Sequence, residues 1–311
     1  MVPEFRYLIH GLVLASEVEL PLPVAATRPA DVTYRVSLGA PSQAPIYSRA
    51  DDPDDPWAVE HWIGGRLAVE FPRWATFELG RDDVALVADD TGDPDLVAHL
   101  LLDHVVPRVV ALRGDLMLHG AGAVGPSGHA HVFLGKTGAG KSTIVAGLVS
   151  SEWELLDDDG IRVVETDHEM VAVPGAPSIR LLPEAADVLR AARPGQRVAS
   201  GHAKRRFSAE SFGFRVARAP ARVAGVYLLA RSNVSKPRVE RLGLALALSA
   251  IVEHGFHLAD EPAAITRQAF ERATALAAAA PIWRLLHPKG LDRLTETFTL
   301  ITELDDGLAA R

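Results

Sequence analysis

A chain of 311 residues that is 48% hydrophobic and 23% charged has the make-up of a globular protein, which excludes wholesale disorder. The absence of cysteine excludes a disulfide scaffold, a cysteine nucleophile and any thiolate metal site. A formal net charge of −8 argues against a nucleic-acid partner; of the 32 basic residues only five are lysine, so Lys136, Lys141, Lys204, Lys236 and Lys289 stand out against arginine.

The start of the chain has an apolar stretch, Tyr7 to Ala15, but it carries Glu4 instead of a basic lead and is broken by His10 and Gly11. It does not read as a signal peptide. No run approaches the ~18 apolar residues of a membrane span, and the longest, Leu242 to Val252, has the length of a core element. A cytoplasmic protein without membrane contact is expected. Residues 1–92 read as a β-rich domain, with strands expected at Val32–Val36, Arg66–Phe71 and Val84–Val87 between turn clusters such as Asp51–Pro56. At Asp93 the texture changes: an N-cap residue followed by Pro94 predicts a helix running to about Leu112, kinked near Pro107. Beyond Gly114 strands and helices alternate, the pattern of an α/β domain spanning 93–311. It closes with helices expected near 245–256, 262–279 and 291–301.

Residues 135–142 carry the chemistry. Gly135, Lys136, Thr137, Gly138, Ala139, Gly140, Lys141 and Ser142 spell the phosphate-binding P-loop, followed by Thr143. Glycines let the loop wrap phosphates with its N–H groups turned inward, and the helix that begins there favours an anion. An expected strand, His131–Leu134, leads in and an expected helix, Ser142–Val149, leads out. Lys141 then meets the β- and γ-phosphates and the Ser142 hydroxyl ligates Mg²⁺. Lys136 either touches phosphate or is solvated.

A nucleoside triphosphate with Mg²⁺ calls for carboxylates. Glu154 to Asp159 reads as an apolar strand ending in three acids, with Asp158 seventeen residues after Lys141. In an open α/β sheet a strand end is the ligand-binding edge. Upstream, the strand-like run Leu116–Ala121 contains His119-Gly120, where a histidine is, on residue type alone, an ordinary core or rim residue.

In this order, His119-Gly120, the P-loop and Asp158-Asp159 resemble the HPr kinase/phosphorylase superfamily, whose P-loop fold is related to ATP-dependent phosphoenolpyruvate carboxykinase. Asp157 leaves the register of the acidic pair open by one. The resemblance covers about residues 90–235. The first ninety residues do not resemble the N-terminal domain of the bifunctional regulator, and Pro177–Pro183 stands where that family carries a glycine-rich signature. The whole chain is more similar to the HPr-kinase-like proteins of peptide natural-product clusters, including those that phosphorylate a serine of a lasso precursor. It shares with them a basic stretch, Gly201 to Phe207. On residue type alone that stretch is equally a solvated loop.

The resemblance implies an ATP- and Mg²⁺-dependent kinase acting on a hydroxyl, a serine, of a peptide or protein. In it Asp158 is the base, Asp159 holds metal beside Ser142, and His119 bonds into the carboxylate pair. Lys204 or Arg205 neutralises the moving phosphoryl group. The roles of Asp158 and Asp159 are exchangeable at this level. A homo-oligomer is a further expectation, and the N-terminal region is the natural place for substrate selection. The alternatives are a small-molecule kinase of the same fold, or a non-catalytic ATP-binding regulatory or assembly protein.

Overall fold

The computed structural model describes residues 5–24, 29–36, 58–72, 74–89, 92–167, 169–189, 195–197, 203–259, 262–288, 290 and 293–309. The expected turn at Asp51–Pro56, and Gly201 and His202 of the basic stretch, lie outside these residues. Among the described residues the architecture is mixed α/β with three sheets.

The first sheet has seven strands in the order Phe5–Ile9, Leu12–Ser16, Val32–Val36, Asp83–Asp89, Ala75–Leu79, Arg66–Phe71, Val59–Ile63. Alternation sets one face inward: Tyr34, Leu67, Val69, Phe77, Leu79 and Val84 are buried. Against that face lies the rod of residues 94–112, which is apolar nearly all round and therefore buried nearly all round. Asp93 caps it, accepting from the N–H groups of Asp95 (3.1 Å) and Leu96 (3.3 Å). The expected kink takes a definite form. Helix Pro94–Leu100 widens into a π-helical turn, Leu101–Val105, before helix Val106–Leu112 resumes. Pro107 offers no N–H, and its ring would press on the carbonyl four residues back, so the turn before it opens. Each fully buried leucine or valine of the rod contributes about 1.5–3 kcal/mol.

The second sheet runs Glu169–Val173, Glu154–Thr166, Leu116–Val124, Ala130–Leu134, Ala221–Ser232, Ile282–Pro288, Arg238–Arg241. Ala130–Leu134, Ala221–Ser232 and Ile282–Pro288 are mutually parallel. Helices cover both faces: Leu244–Glu253 and Ala263–Ala279 pack on one, Lys141–Val149 and Leu294–Ala309 on the other. Gly147 permits the last two to meet, since a Cβ there would overlap the Phe298 ring. Asp305 pins the C-terminal helix beneath the sheet by accepting from His131 Nε2 at 3.0 Å and from Ser127.

One strand departs from expectation. The strand that begins at Glu154 does not end at the acids but runs thirteen residues in all, to Thr166. A register shift against Leu116–Val124 falls between Leu155 and Asp157, and Asp159 has a φ of 103°, so the acidic triplet is a distortion inside a long strand. A third, small sheet has Arg205–Ser208 at its centre, with Ser178–Leu181 and Gln196–Arg197 on either side.

Candidate functional site

The loop after Ala130–Leu134 closes one side of a cleft. Gly138 and Gly140 have φ of 76° and 105°, conformations that side chains resist. Helix Lys141–Val149 starts directly on Gly140 with no side-chain cap, which leaves its first-turn N–H groups to an anion. Lys141 is folded into the loop. Its ammonium donates to the Gly135 carbonyl at 2.7 Å and to His119 Nε2 at 3.3 Å. Burial lowers its pKa, against the pull of Asp159 and Asp158. Because Lys141 donates to Nε2, the neutral His119 ring carries its proton on Nδ1, which lies 3.8 Å from Asp159 Oδ1. Burial holds the His119 pKa down.

The distorted strand sends its three acids to three environments. Asp157 turns away from the cleft to His10 Nδ1 at 3.3 Å, in a space kept open by Gly175. Burial raises its pKa well above the carboxylate range and lowers that of His10 to about 3, so the two meet as neutral groups. Asp158 accepts from the Arg180 N–H at 2.8 Å and from the Ser142 hydroxyl. Its pKa is raised by burial and then by Asp159, with Arg180 and Ser142 pulling the other way. Asp159 faces the cleft. Its burial opposes charge, but the Arg180 guanidinium at 2.5 Å, together with His119 and His104, more than offsets that and holds the carboxyl well below its usual range. The left-handed backbone at Asp159 lets two neighbours reach one site, where a regular strand would send them to opposite faces.

Arg180 belongs to the small sheet and carries the opposite wall. It pairs with Asp159 and, at 3.1 Å, with Asp103 of the π-helical turn. Arg206, its cross-strand partner, reaches the same Asp103 oxygen at 2.6 Å, and His99 Nδ1 stands 2.7 Å from it. Asp103 is buried, which disfavours its charge, yet Arg206 and Arg180 hold it ionised far below the usual pKa.

The cleft has a volume of about 100 Å³ and is lined by Thr137 to Thr143, His119, Asp159, Arg180, Lys204 and Arg231, with Leu181 and Leu182. The structure thus brings together His119, Asp159, Lys141, Ser142, Thr143 and Lys204, with Asp158 directly behind. Lys136 is exposed beside the loop and does not line the cleft. The basic stretch does not act as a cluster. Lys204, one residue before the strand Arg205–Ser208, lines the cleft; Arg205 is exposed and does not line it, and Arg206 is in the buried pair with Asp103. Arg180, Arg231 and Asp103 are absent from the sequence reading. Arg231 had a findable signal, since it lies toward the C-terminal end of a strand parallel to Ala130–Leu134, the usual ligand edge.

Mg²⁺ takes oxygen ligands, commonly one or two carboxylates with phosphate and water. The Ser142 hydroxyl beside Asp158, with Asp159 adjacent, fits that donor set, and the mutual repulsion of the two carboxylates is what a cation would relieve. No protein-family model and no curated protein matches the chain. Among solved structures, it is similar to the HPr(Ser) kinase/phosphatase from Coxiella burnetii at a TM-score of 0.35 and 12% identity, over 61% of this chain and 88% of that one. At that level the functional reading rests on the geometry of the site itself.

Proposed function

We propose that the protein is an ATP-dependent phosphotransferase that passes the γ-phosphoryl group to a hydroxyl of a peptide or protein. The observation that carries the reading is the facing of Lys141 and the uncapped helix start by His119, Asp159 and Arg180 across one cleft. A module that only bound nucleotide would need the loop and the lysine but no histidine-carboxylate pair opposite them. On this reading residues 1–92 select the acceptor and residues 93–311 carry the transfer.

Ser142 and Asp158 hold Mg²⁺, which when bound neutralises phosphate oxygens. Asp159, which lines the cleft where Asp158 does not, orients the acceptor hydroxyl and takes its proton as the oxygen bonds to phosphorus and the bond to the leaving oxygen breaks. The geometry therefore favours the exchanged roles: Asp158 beside Ser142 as metal ligand, Asp159 beside His119 as base. Arg180 restrains Asp159 at rest. When a phosphoryl group draws the guanidinium away, the Asp159 pKa rises toward the range useful in a base. His119, with Nδ1–H toward Asp159, positions it, and Lys141 and Lys204 offset charge on the moving group.

Transfer of labelled phosphate from ATP to a pool of serine-centred peptides tests the reading, with Mg²⁺ varied. Asp159→Asn is expected to lower kcat at least 100-fold with ATP affinity held within a few-fold. Asp158→Asn is expected to raise the Mg²⁺ concentration needed for half-maximal rate. Unchanged transfer by Asp159→Asn would remove the base assignment. A parent protein that binds no ATP would overturn the proposal.

A further inference from the structure

Beside the cleft lies a larger cavity of about 420 Å³, between the segment Glu19–Pro23 and the small sheet. We infer that it receives the chain flanking the acceptor hydroxyl, as an extended, non-acidic peptide segment with an apolar side chain; the inference rests on the phosphotransferase reading and extends it to the form of the substrate.

Continuity comes first. Ser178 and Arg180 share one face of their strand, and their antiparallel partners Ser208 and Arg206 share the same face. Ser178, Ser208 and Arg206 line the cavity, whereas Arg180 lines the cleft. Ile179 and Phe207 on the other face are buried in the core. A single polar surface therefore leads from one space into the other. The step from Arg180 to Ser178 is two strand residues, about 7 Å, which an extended peptide covers in two or three residues.

Size comes next. The cleft has room for a phosphoryl group and a hydroxyl but not for the body of a peptide. The cavity lies within the ~300–1,000 Å³ range of ligand sites.

Chemistry settles the class. The sheet and the short helical turn after it offer the Ser178, Ser208 and Ser211 hydroxyls. Ser178 accepts from Arg206 and keeps its own proton to donate, and Ser208 and Ser211 bond to each other and keep one donor and lone pairs between them for a peptide carbonyl or amide. The opposite wall is Leu20, Pro21, Leu22 and Pro23, which suits an apolar side chain, together with the Glu19 carboxylate, which disfavours an acidic one. The positive charge of Arg206 is already matched by Asp103, so the cavity does not call for an anion.

The test is a positional-scanning pool of peptides with one fixed serine, assayed for phosphate transfer from ATP with nucleotide affinity measured separately. The parent is expected to prefer an apolar residue two or three positions from the serine. Ser208→Trp from the sheet wall and Pro21→Trp from the opposite wall, both at exposed positions, are each expected to raise the peptide KM at least tenfold and to flatten that preference. If both variants keep the parent's KM and preference, or if free serine serves as well as the peptides, the groove is overturned while the phosphotransferase stands. A parent that binds ATP and phosphorylates nothing overturns both.

Discussion

The two walls of the cleft are built on different principles. The loop wall, Gly135 to Thr143, comes from nine consecutive residues, and its anion-binding groups are those of backbone and helix start. The facing wall is assembled from distant parts of the chain: Asp103 from the buried rod, Asp159 from a distorted strand, Arg180 and Arg206 from two strands of a small sheet. It is held by side-chain charge. The first wall is a local device that tolerates its surroundings; the second exists only when the whole fold is in place. In the first, function and stability separate. In the second they are the same interactions.

The comparison breaks most sharply at Asp103 and Lys141. Asp103→Asn leaves two buried guanidinium groups sharing a neutral amide, which is expected to cost about 3–5 kcal/mol of unfolding free energy. Lys141→Met removes a buried ammonium whose desolvation already lowers its pKa. It is expected to leave stability within about 1 kcal/mol while abolishing nucleotide binding. Urea denaturation read alongside ATP titration checks both. A stable Asp103→Asn protein, or a strongly destabilised Lys141→Met protein, would erase the distinction.

The same contrast governs how much the sequence disclosed. The loop wall was legible because its signal is contiguous: a buried strand, glycines at fixed spacing, then a helix. The strand Val32–Val36, the cap at Asp93 and the helices Leu244–Glu253 and Ala263–Ala279 were legible for the same reason, whereas the last helix, expected near 291–301, runs Leu294–Ala309. Arg180 was not. It lies in a short strand between prolines, and its partner Arg206 is brought opposite by pairing across 26 residues that no local pattern encodes. The acids were seen as a strand end because apolar residues give way to charge there. The strand goes on because Asp157 to Val163 stay paired with Leu116 to Gly122, and Asp157 is accommodated there as a neutral group against His10, a contact with the first hairpin that sequence proximity does not reveal. Three adjacent aspartates look alike in sequence; burial and partners make one neutral, one the acceptor of the Ser142 hydroxyl and one an ion pair.

The His10–Asp157 contact carries the comparison into pH. The His10 pKa falls from 6.5 unfolded to about 3 folded, so the folded protein lacks a proton that the unfolded chain binds below pH 6.5. Its contribution is fully present above pH 6.5 and is lost as pH falls toward 3. Asp157 works in the opposite sense: its raised pKa makes the folded state keep a proton, so its contribution is lost as pH rises above the ordinary carboxylate range. His10→Asn removes only the first, and asparagine tolerates the φ of 51° at that turn. Relative to the parent, the variant is expected to gain about 2 kcal/mol at pH 5 compared with pH 7.5, from 1.5 pH units below 6.5. Parallel stability curves for the two proteins between pH 4.5 and 7.5 would show that His10 is not held neutral.

The smallest expected effect lies at the edge of the assembled wall. Lys204 and Arg205 are neighbours in sequence and alike in charge, but only Lys204 lines the cleft, and Arg205 is exposed outside it. Arg205, exposed on the far face, is expected to tolerate alanine with less than about 0.5 kcal/mol of stability change and less than about twofold change in phosphoryl transfer. Lys204→Ala, in the cleft, is expected to lower kcat by about tenfold or more, because it removes a cation aimed at the site of charge development. Steady-state rates for the two single variants decide the matter. Equal losses would mean that the basic stretch acts as one diffuse patch. A loss confined to Lys204→Ala would locate the effect in the orientation of one side chain, set by the pairing of Arg205–Ser208 with Ser178–Leu181.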